Sequence, residues 1–395
     1  MKVMILGGAG IQGSAAARDL IEFREDVEIT LADLDLDSIK PILEWLDDER
    51  VEGVALDAAD EDDLRYLMED RDFDVIISSV PWSVTLPPLD AAIRAGVDFV
   101  DFGLYQNREF DERFLEYGRR ARDARVAVIP SCGVAPGLTN ILAAYGASRL
   151  EQVDTVHIYV GGIPEHPEPP LQYKTVWSLE GVWTQFFEST RAIRGGRPVE
   201  LDPCSELETL EIEGVGELEA ALTDGLGTML HMYDDSIFEG VSEVFEKTLR
   251  HPGHYDKMLT LKECGLLDDE PIRVDDTSVS PRSFLTTLLG PKLKMREGER
   301  DMTVMSVRVA GRARGEKRCF TYDMVDRADL ATGVLSMGRT TGYTGSIVAG
   351  MLADDRLERR GMVEPERLGA DPKLFEYMLR QYARRGIEIH ESIIG

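Results

Sequence analysis

The sequence predicts an α/β fold, with an N-terminal doubly wound parallel sheet followed by an α+β domain built on a mixed sheet. Three observations predict it. Short apolar runs at residues 3–6, 75–80 and 126–129 alternate with helical segments through the first third of the chain, as strands buried on both faces do. A glycine-rich stretch, GGAGIQG, follows the first run directly and opens the first helix. Much later, residues 303–310 and 318–325 alternate apolar and polar side chains around the link GRARGEK, the pattern of an antiparallel hairpin. A chain of 395 residues exceeds one ordinary core, so more than one domain is expected.

The glycine stretch organises everything after it. Gly8, Gly10 and Gly13 make G-x-G-x-x-G, with Ile11 and Gln12 in the variable positions. In this fingerprint the first glycine allows a tight turn, the second lets a pyrophosphate approach the backbone, and the third lets helix and strand close up. The helix start offers free N–H groups and partial positive charge to the phosphates. Residues 26–32 form a second strand ending at Asp33, where the fingerprint places a carboxylate for a ribose diol. No Arg or Lys lies between Leu34 and Ser38 to receive a 2′-phosphate. The expected cofactor is therefore NAD, with NADP possible. The expected binding set is Gly8, Gly10, Ile11, Gln12, Gly13 and Asp33.

The remaining elements follow in order. An acid-led helix over 33–46 precedes a third strand, 51–56, ending at Asp57. A helix over 61–69 leads to the fourth strand, 75–80, which Pro81-Trp82 stops. Then come a helix over 89–95, a fifth strand over 97–100 ending at Asp101, a helix over 111–123 and a sixth strand over 126–129. Near Gly133 the pattern changes to a turn, a helix over 138–149 and a strand over 155–160, which Gly161-Gly162-Ile163-Pro164 is expected to break. Thr340 to Thr344 is expected to precede a small-residue helix, and residues 375–385 form a last one. The expected domains are 1–133 for the dinucleotide, 134–335 for substrate and catalysis, and 336–395 as helices packing back on the first.

Composition closes off several functions. The net charge of −29 disfavours nucleic acid, which needs clustered Lys and Arg. No run of eighteen apolar residues suggests a membrane span. The first strand begins at once after Met1, leaving no room for a signal peptide. Cys132, Cys204, Cys264 and Cys319 are scattered, without metal or disulfide spacing, so a reduced, cytoplasmic protein without a metal is expected.

Several stretches together resemble the saccharopine dehydrogenase family. They are Gly133-Val134-Ala135-Pro136-Gly137, Gly161 to Pro164, Pro170 to Lys174 with Trp177-Ser178 and Gly181, Thr248-Leu249-Arg250 with Pro252-Gly253-His254, and Thr340-Thr341-Gly342-Tyr343. The segment VGGIPEHPEPPLQY and the phrase SLEG look most like the L-lysine 6-dehydrogenase branch. Ala135 stands where fungal-type saccharopine reductases carry Asp, whereas Lys174 and Trp177 match the saccharopine and carboxynorspermidine enzymes better. The resemblance implies a nicotinamide cofactor, an amino-acid or polyamine-like substrate and a homodimer. The reaction it implies is oxidative deamination of lysine through an imine, or the corresponding oxidation of a saccharopine or carboxynorspermidine conjugate. A nucleotide-binding sensor without turnover is the alternative from another class.

The expected site residues follow from these two readings. Ser79, Val80 and Trp82 come after the fourth strand, where a parallel sheet binds ligands; Trp82 is assigned to substrate and the other two to cofactor. Asp57 is assigned to the adenine edge. Tyr173 and Lys174 are the expected proton-transfer pair, ahead of Glu180 and His231; His231 is also placed with the substrate residues. Arg250 is the expected partner of a substrate carboxylate, because a guanidinium binds carboxylate in a planar fork.

Overall fold

The computed structural model describes residues 1–395, which divide into two units. The first holds Met1–Glu151, Leu226–Glu239 and Gly338–Glu388; the second holds Gln152–Gly225, Gly240–Met337 and Ile389–Gly395. No helix is long and apolar enough to cross a membrane.

The first unit is built on six parallel strands, β1 (Lys2–Leu6), β2 (Glu28–Asp33), β3 (Val51–Ala55), β4 (Val75–Ser78), β5 (Asp98–Asp101) and β6 (Ala127–Ile129). Their spatial order is β3-β2-β1-β4-β5-β6, with the short strand Gly361–Met362 added beyond β6. This is the doubly wound order, which reverses direction between β1 and β4. Val75 to Ser78 are all buried, as an unalternating apolar run requires. Local chemistry moves the helix ends from their expected places. Asp35, not Asp33, caps helix Leu36–Leu46 by accepting from the Ser38 N–H. The helix expected over 111–123 is two pieces, Arg108–Glu112 and Phe114–Ala124, and Asn107 caps the first.

Thr340 to Tyr343 do not precede a helix; they lie inside one, Ser336–Ala353. A Cβ at Gly342 would fall 2.7 Å from the Gln12 carbonyl oxygen and one at Gly338 3.2 Å from the Ala15 Cβ. The glycines are there so that this helix can lie against helix Ile11–Phe23. Arg385 then locks the same helix to the C-terminal one. Its Nε and Nη2 donate to the two Asp19 oxygens at 2.6 and 2.8 Å, with Asp19 fully buried. Removing one partner from such a buried pair costs about 3–5 kcal/mol.

The second unit is a nine-stranded mixed sheet. Its strands are β7 (Gln152–Pro164), β8 (Thr190–Arg194), β9 (Arg197–Leu201), β10 (Glu208–Ile212), β11 (Gly216–Leu222), β12 (Glu243–Arg250), then after a small two-stranded ribbon, β13 (Ile272–Val274) and β14 (Thr277–Val279), come β15 (Asp301–Ala313) and β16 (Glu316–Arg327). The main path runs β10-β11-β12-β7-β15-β16, and the C-terminal strand His390–Ile394 completes it against β16. Only the β12–β7 pair is parallel. The expected hairpin is β15 and β16, longer than its alternation suggested, with Arg314-Gly315 as a two-residue turn at φ 53° and 77°.

Gly161 to Pro164 do not break β7, which runs unbroken for 13 residues. A Cβ at Gly161 would fall 2.3 Å from the Leu249 carbonyl oxygen, and one at Gly162 2.2 Å from the Met337 Cε. Close approach, not a turn, requires glycine at both positions.

Two buried carboxyls make the fold sensitive to pH. Glu366 accepts from Asn140 Nδ2 at 2.7 Å and Thr228 Oγ1 at 2.8 Å within the first unit, and burial pushes its carboxyl up to about 7. Asp301 accepts from the Ser336 and Met337 N–H groups at 2.6 and 2.9 Å, and burial pushes it up to about 6. Both groups bind protons more tightly folded than unfolded. Their contribution to stability is complete below the ordinary carboxyl range and is lost as pH rises through 6 to 7. The melting temperature is expected to fall between about pH 5 and about pH 8, and Glu366→Gln to flatten that fall. Thermal scans across that range, wild type against variant, check it; an identical slope in both excludes Glu366 as a source.

Candidate functional site

The nucleotide end of the first unit is shaped by backbone approach. The tight turn uses Gly7, one residue ahead of the fingerprint: its φ is 73°, and a Cβ there would fall 2.5 Å from the Ser79 carbonyl oxygen. Gly8, expected as the turn glycine, instead makes room for Leu31, whose Cβ would lie 2.9 Å from an added Cβ. A Cβ at Gly13 would meet the Gly7 carbonyl oxygen at 2.4 Å, so helix and loop close only with glycine there. Gly10 is the N-cap of helix Ile11–Phe23 and offers no side chain to it, which leaves the N–H groups of Ile11, Gln12 and Gly13 for an anion.

Asp33 ends β2 beside this loop. Its Oδ2 accepts from the Ala9 N–H at 3.0 Å and its Oδ1 from the Leu34 N–H at 2.9 Å. Lys40, the nearest following base, is exposed and paired with Asp37 at 2.6 Å. Asp57 is exposed one residue beyond Leu56, whose N–H donates to the Asp33 carbonyl, and it closes a turn by accepting from the Ala59 N–H. A bare helix start, a loop that any Cβ would fill and a fixed carboxylate at the end of β2 fit a dinucleotide.

The carboxyl ends of β4, β5 and β6 carry the most unusual groups of this unit. Val80 and Trp82 are half-buried there, and the Trp82 carbonyl accepts from Thr85 Oγ1 and Asn107 Nδ2. Asp101, the last residue of β5, is fully buried. Its Oδ1 accepts from the Gly103 and Leu104 N–H groups at 2.7 and 2.6 Å. Its Oδ2 and the hydroxyl of Ser78, its register partner on β4, complete no hydrogen bond of ordinary geometry. Burial pushes the Asp101 carboxyl up to about 6, against the hydrogen bonding that pulls it down. Next to it, burial and the Asp101 charge hold the Cys132 thiol well above its ordinary value, so it stays protonated. Ser131, buried at the end of β6, sits at φ 55°, the kind of backbone strain that gathers at functional sites.

The second unit holds a separate buried polar group of three side chains. Arg250 ends β12 and is 2% exposed. Its Nη1 donates to the Leu249 carbonyl and its Nη2 to Gln185 Oε1, both at 2.9 Å, while its Nε has no partner. No carboxylate pairs with it. Its guanidinium lies over the Tyr173 ring, 5.0 Å from the centroid. The Tyr173 hydroxyl is buried and makes no hydrogen bond of ordinary geometry. The His254 ring lies 5.4 Å from that of Tyr173. Since a carbonyl only accepts, His254 Nδ1 is protonated on the Leu171 oxygen at 2.8 Å, and Nε2 is left as a bare acceptor. Burial pulls His254 down to about 3, so the ring is neutral. Burial also raises the Tyr173 hydroxyl, only partly countered by Arg250 and Trp177. Tyr173 is thus a hydrogen-bond donor, and its surroundings oppose the proton-accepting role expected of it.

Other expected residues lie elsewhere. Lys174 is buried and committed to Glu299 at 3.1 Å and Glu168 at 3.8 Å. His231 belongs to the first unit, where it pairs with Asp111 at 3.0 Å and stacks on Phe114 at 4.1 Å; this is a packing arrangement. Glu180 is exposed in the first turn of helix Leu179–Thr184. Tyr173 and Arg250 come together; Lys174 does not join them. Asp101, His254 and Gln185 were not among the expected site residues. No group of three His, Cys, Asp or Glu side chains is placed to hold a metal ion.

The doubly wound sheet, its glycine-rich loop and the fixed Asp33 carboxylate define a dinucleotide-binding fold, carried in one chain with a second unit on a mixed sheet. The chain belongs to the saccharopine dehydrogenase family: the family's NADP binding domain matches residues 3–129, and its C-terminal domain matches residues 133–387. It is therefore a dehydrogenase that uses NAD(P). It is 22% identical over 410 residues to the carboxyaminopropylagmatine dehydrogenase of Synechocystis sp., covering 100% of this chain and 98% of that protein. It is 22% identical over 319 residues to the NADP(+), L-glutamate-forming saccharopine dehydrogenase of Saccharomyces cerevisiae, covering 75% of this chain and 65% of that one. Apo histidine-tagged saccharopine dehydrogenase (L-Glu forming) from the same yeast has the same fold, with a TM-score of 0.77, 19% identity and 100% coverage of both chains.

Proposed function

We propose that this enzyme oxidises the C–N bond of an amine that also carries a carboxylate, with L-lysine as the first substrate and NAD as the preferred cofactor. The observation that carries the reading is the buried Arg250 guanidinium in no direct ion pair, beside a Tyr173 hydroxyl and a His254 Nε2 that complete no hydrogen bond of ordinary geometry. A buried charge without a counter-ion is costly, and a substrate carboxylate offsets that cost. Arg250 Nε and the Tyr173 hydroxyl supply donors for the carboxylate; His254 Nε2 supplies an acceptor for an ammonium N–H. Donors and acceptor together suit the amino-acid end of lysine.

The nicotinamide, when bound, accepts the hydride from the carbon bearing nitrogen. The chain's own part is to bind, orient and move protons. Asp101, whose buried carboxyl is pushed up to about 6 despite the pull of the Ser78 hydroxyl and the neighbouring backbone N–H groups, is suited to take the proton released as the amine becomes an imine. Water then hydrolyses the imine. Oxidation of a saccharopine-type or carboxynorspermidine-type conjugate is the second reading, favoured by the half-buried Trp177 beside Tyr173 and by the substrates named for the two relatives above. Crystals soaked with NAD and lysine test the assignment. Density for the lysine carboxylate on Arg250 supports it, and lysine bound with its carboxylate elsewhere removes it.

The NAD preference rests on Asp33. Unit charges about 4 Å apart at an effective dielectric near 20 interact by ~4 kcal/mol, so even a screened fraction gives about tenfold discrimination against a 2′-phosphate. Asp33→Ser combined with Leu34→Arg is expected to reverse the preference towards NADP in fluorescence titrations of both nucleotides. Tighter binding of NADP by the unmutated protein contradicts the ribose role of Asp33.

A further inference from the structure

Glu246, Thr248 and Arg250 occupy alternate positions of β12 and so share one face of it. All three are buried. A continuous polar chain joins the two ends. Thr223 Oγ1 donates to Glu246 Oε2 at 2.6 Å and lies 2.6 Å from Thr248 Oγ1. Gln185 Nε2 donates to Thr248 Oγ1 at 3.3 Å, and Gln185 Oε1 accepts from Arg250 Nη2 at 2.9 Å. The turn after β11 closes over the carboxyl so tightly that a Cβ at Gly225 would fall 2.5 Å from Glu246 Oε2. Glu246 is thus the acid tied to Arg250 through hydrogen bonds, although the two do not touch as an ion pair.

We propose that Glu246 is the proton-controlled counter-charge of Arg250, so that an anionic ligand binds at Arg250 with uptake of one proton from solvent by the Glu246 carboxylate. The inference rests on the reading of Arg250 as the carboxylate anchor. With Glu246 ionised, its charge offsets that of Arg250 within the protein. With Glu246 protonated, the guanidinium charge is left for the ligand. Linkage makes the effect reciprocal, because a bound anion cancels the Arg250 field that favours ionised Glu246.

Other ionisable groups face Glu246 from the elements around it. Asp224, in the turn after β11, is held by Arg191 of β8 through Nε and Nη2 at 3.0 and 2.8 Å. Cys204, in the turn after β9, has its thiol pushed up to about 12 by burial, with Lys262 of helix His254–Glu263 pulling the other way. Tyr255 of the same helix is raised well above its ordinary value. Glu246 itself is pushed up to about 8 by burial and by Asp224, against its threonine hydrogen bonds and Arg250.

Glutarate is a suitable probe, because it carries carboxylates and no amine that titrates in this range. Calorimetric titration of the full chain is expected to show glutarate binding weakening about tenfold between about pH 7 and about pH 9, with proton uptake detected from the buffer dependence of the heat. Glu246→Gln is expected to bind glutarate at both pH values with a flat profile and no uptake. Thr223→Val, which removes a hydrogen bond to the ionised form, is expected to move the midpoint to higher pH. An unchanged profile in both variants overturns the coupling while leaving the anion site standing. No glutarate binding by the unmutated protein at the lower pH overturns the anion site and the coupling with it.

Discussion

Arg250→Met is expected to lower kcat/KM for a carboxylate-bearing amine by about two to three orders of magnitude and to leave NAD binding unchanged. Truncating one partner of a buried, hydrogen-bonded charge pair costs about 2–5 kcal/mol, and each 1.4 kcal/mol is tenfold. Arg250 meets the conditions for the upper part of that range, being 2% exposed and making no direct ion pair with a protein carboxylate. Methionine keeps an unbranched apolar stem of similar length while removing the guanidinium that lies over the Tyr173 ring. The loss is expected mainly in KM, because the carboxylate lies far from the carbon that changes and is bound equally in ground and transition states. Arg250→Lys recovers only part of it, since an ammonium cannot reproduce the fork. An amine lacking the carboxylate is expected to be turned over equally slowly by all three proteins. If Arg250→Met handles the carboxylate substrate as the unmutated enzyme does, Arg250 is a structural residue.

Asp101→Asn is expected to lower kcat by about two to four orders of magnitude, the usual contribution of a positioned acid–base group. Asparagine keeps an oxygen for the Gly103 and Leu104 N–H groups, so the turn after β5 is retained and the loss reports the proton. The sharper readout is the pH–rate profile. A base with its carboxyl at about 6 makes the rate rise with pH through that value and level off above it. In Asp101→Asn that limb is expected to disappear. A variant that is slow but keeps the limb assigns the proton transfer to another group.

The two predictions differ in how far the sequence announced them. Arg250 was visible because it sits in a short string, Thr-Leu-Arg, with a family resemblance. What makes it informative, burial without a counter-ion, depends on Gln185 and Tyr173, which are distant in the chain. Asp101 was visible only as the end of a strand; its burial among Ser78 and Cys132 follows from β4, β5 and β6 coming side by side. The doubly wound sheet was legible because its strands are local apolar runs separated by helices with period and caps of their own. The second unit was less so. Gly161-Gly162 reads as a break in any local pattern, and only the approach of Leu249 and Met337 reveals why glycine continues the strand. Thr340 to Tyr343 misread for the same reason, because a helix packed through glycines has local residues that look like a turn. Gly7 was passed over because the fingerprint names Gly8, while the sharp turn is set by the Ser79 carbonyl across the sheet. Lys174 and Tyr173 are adjacent in sequence, yet one is committed to Glu299 and the other lies under Arg250.

The central claim is that this dehydrogenase acts on a C–N bond in a substrate anchored by its carboxylate. Nicotinamide reduction followed by absorbance, with L-lysine, lysinamide, saccharopine and cadaverine offered in parallel, tests it most directly. The predicted result is NAD-dependent turnover of lysine, or of saccharopine on the second reading, with the carboxylate-free lysinamide and cadaverine slower by about two orders of magnitude. Equal turnover of lysine and lysinamide, or reduction with none of the four amines, contradicts it.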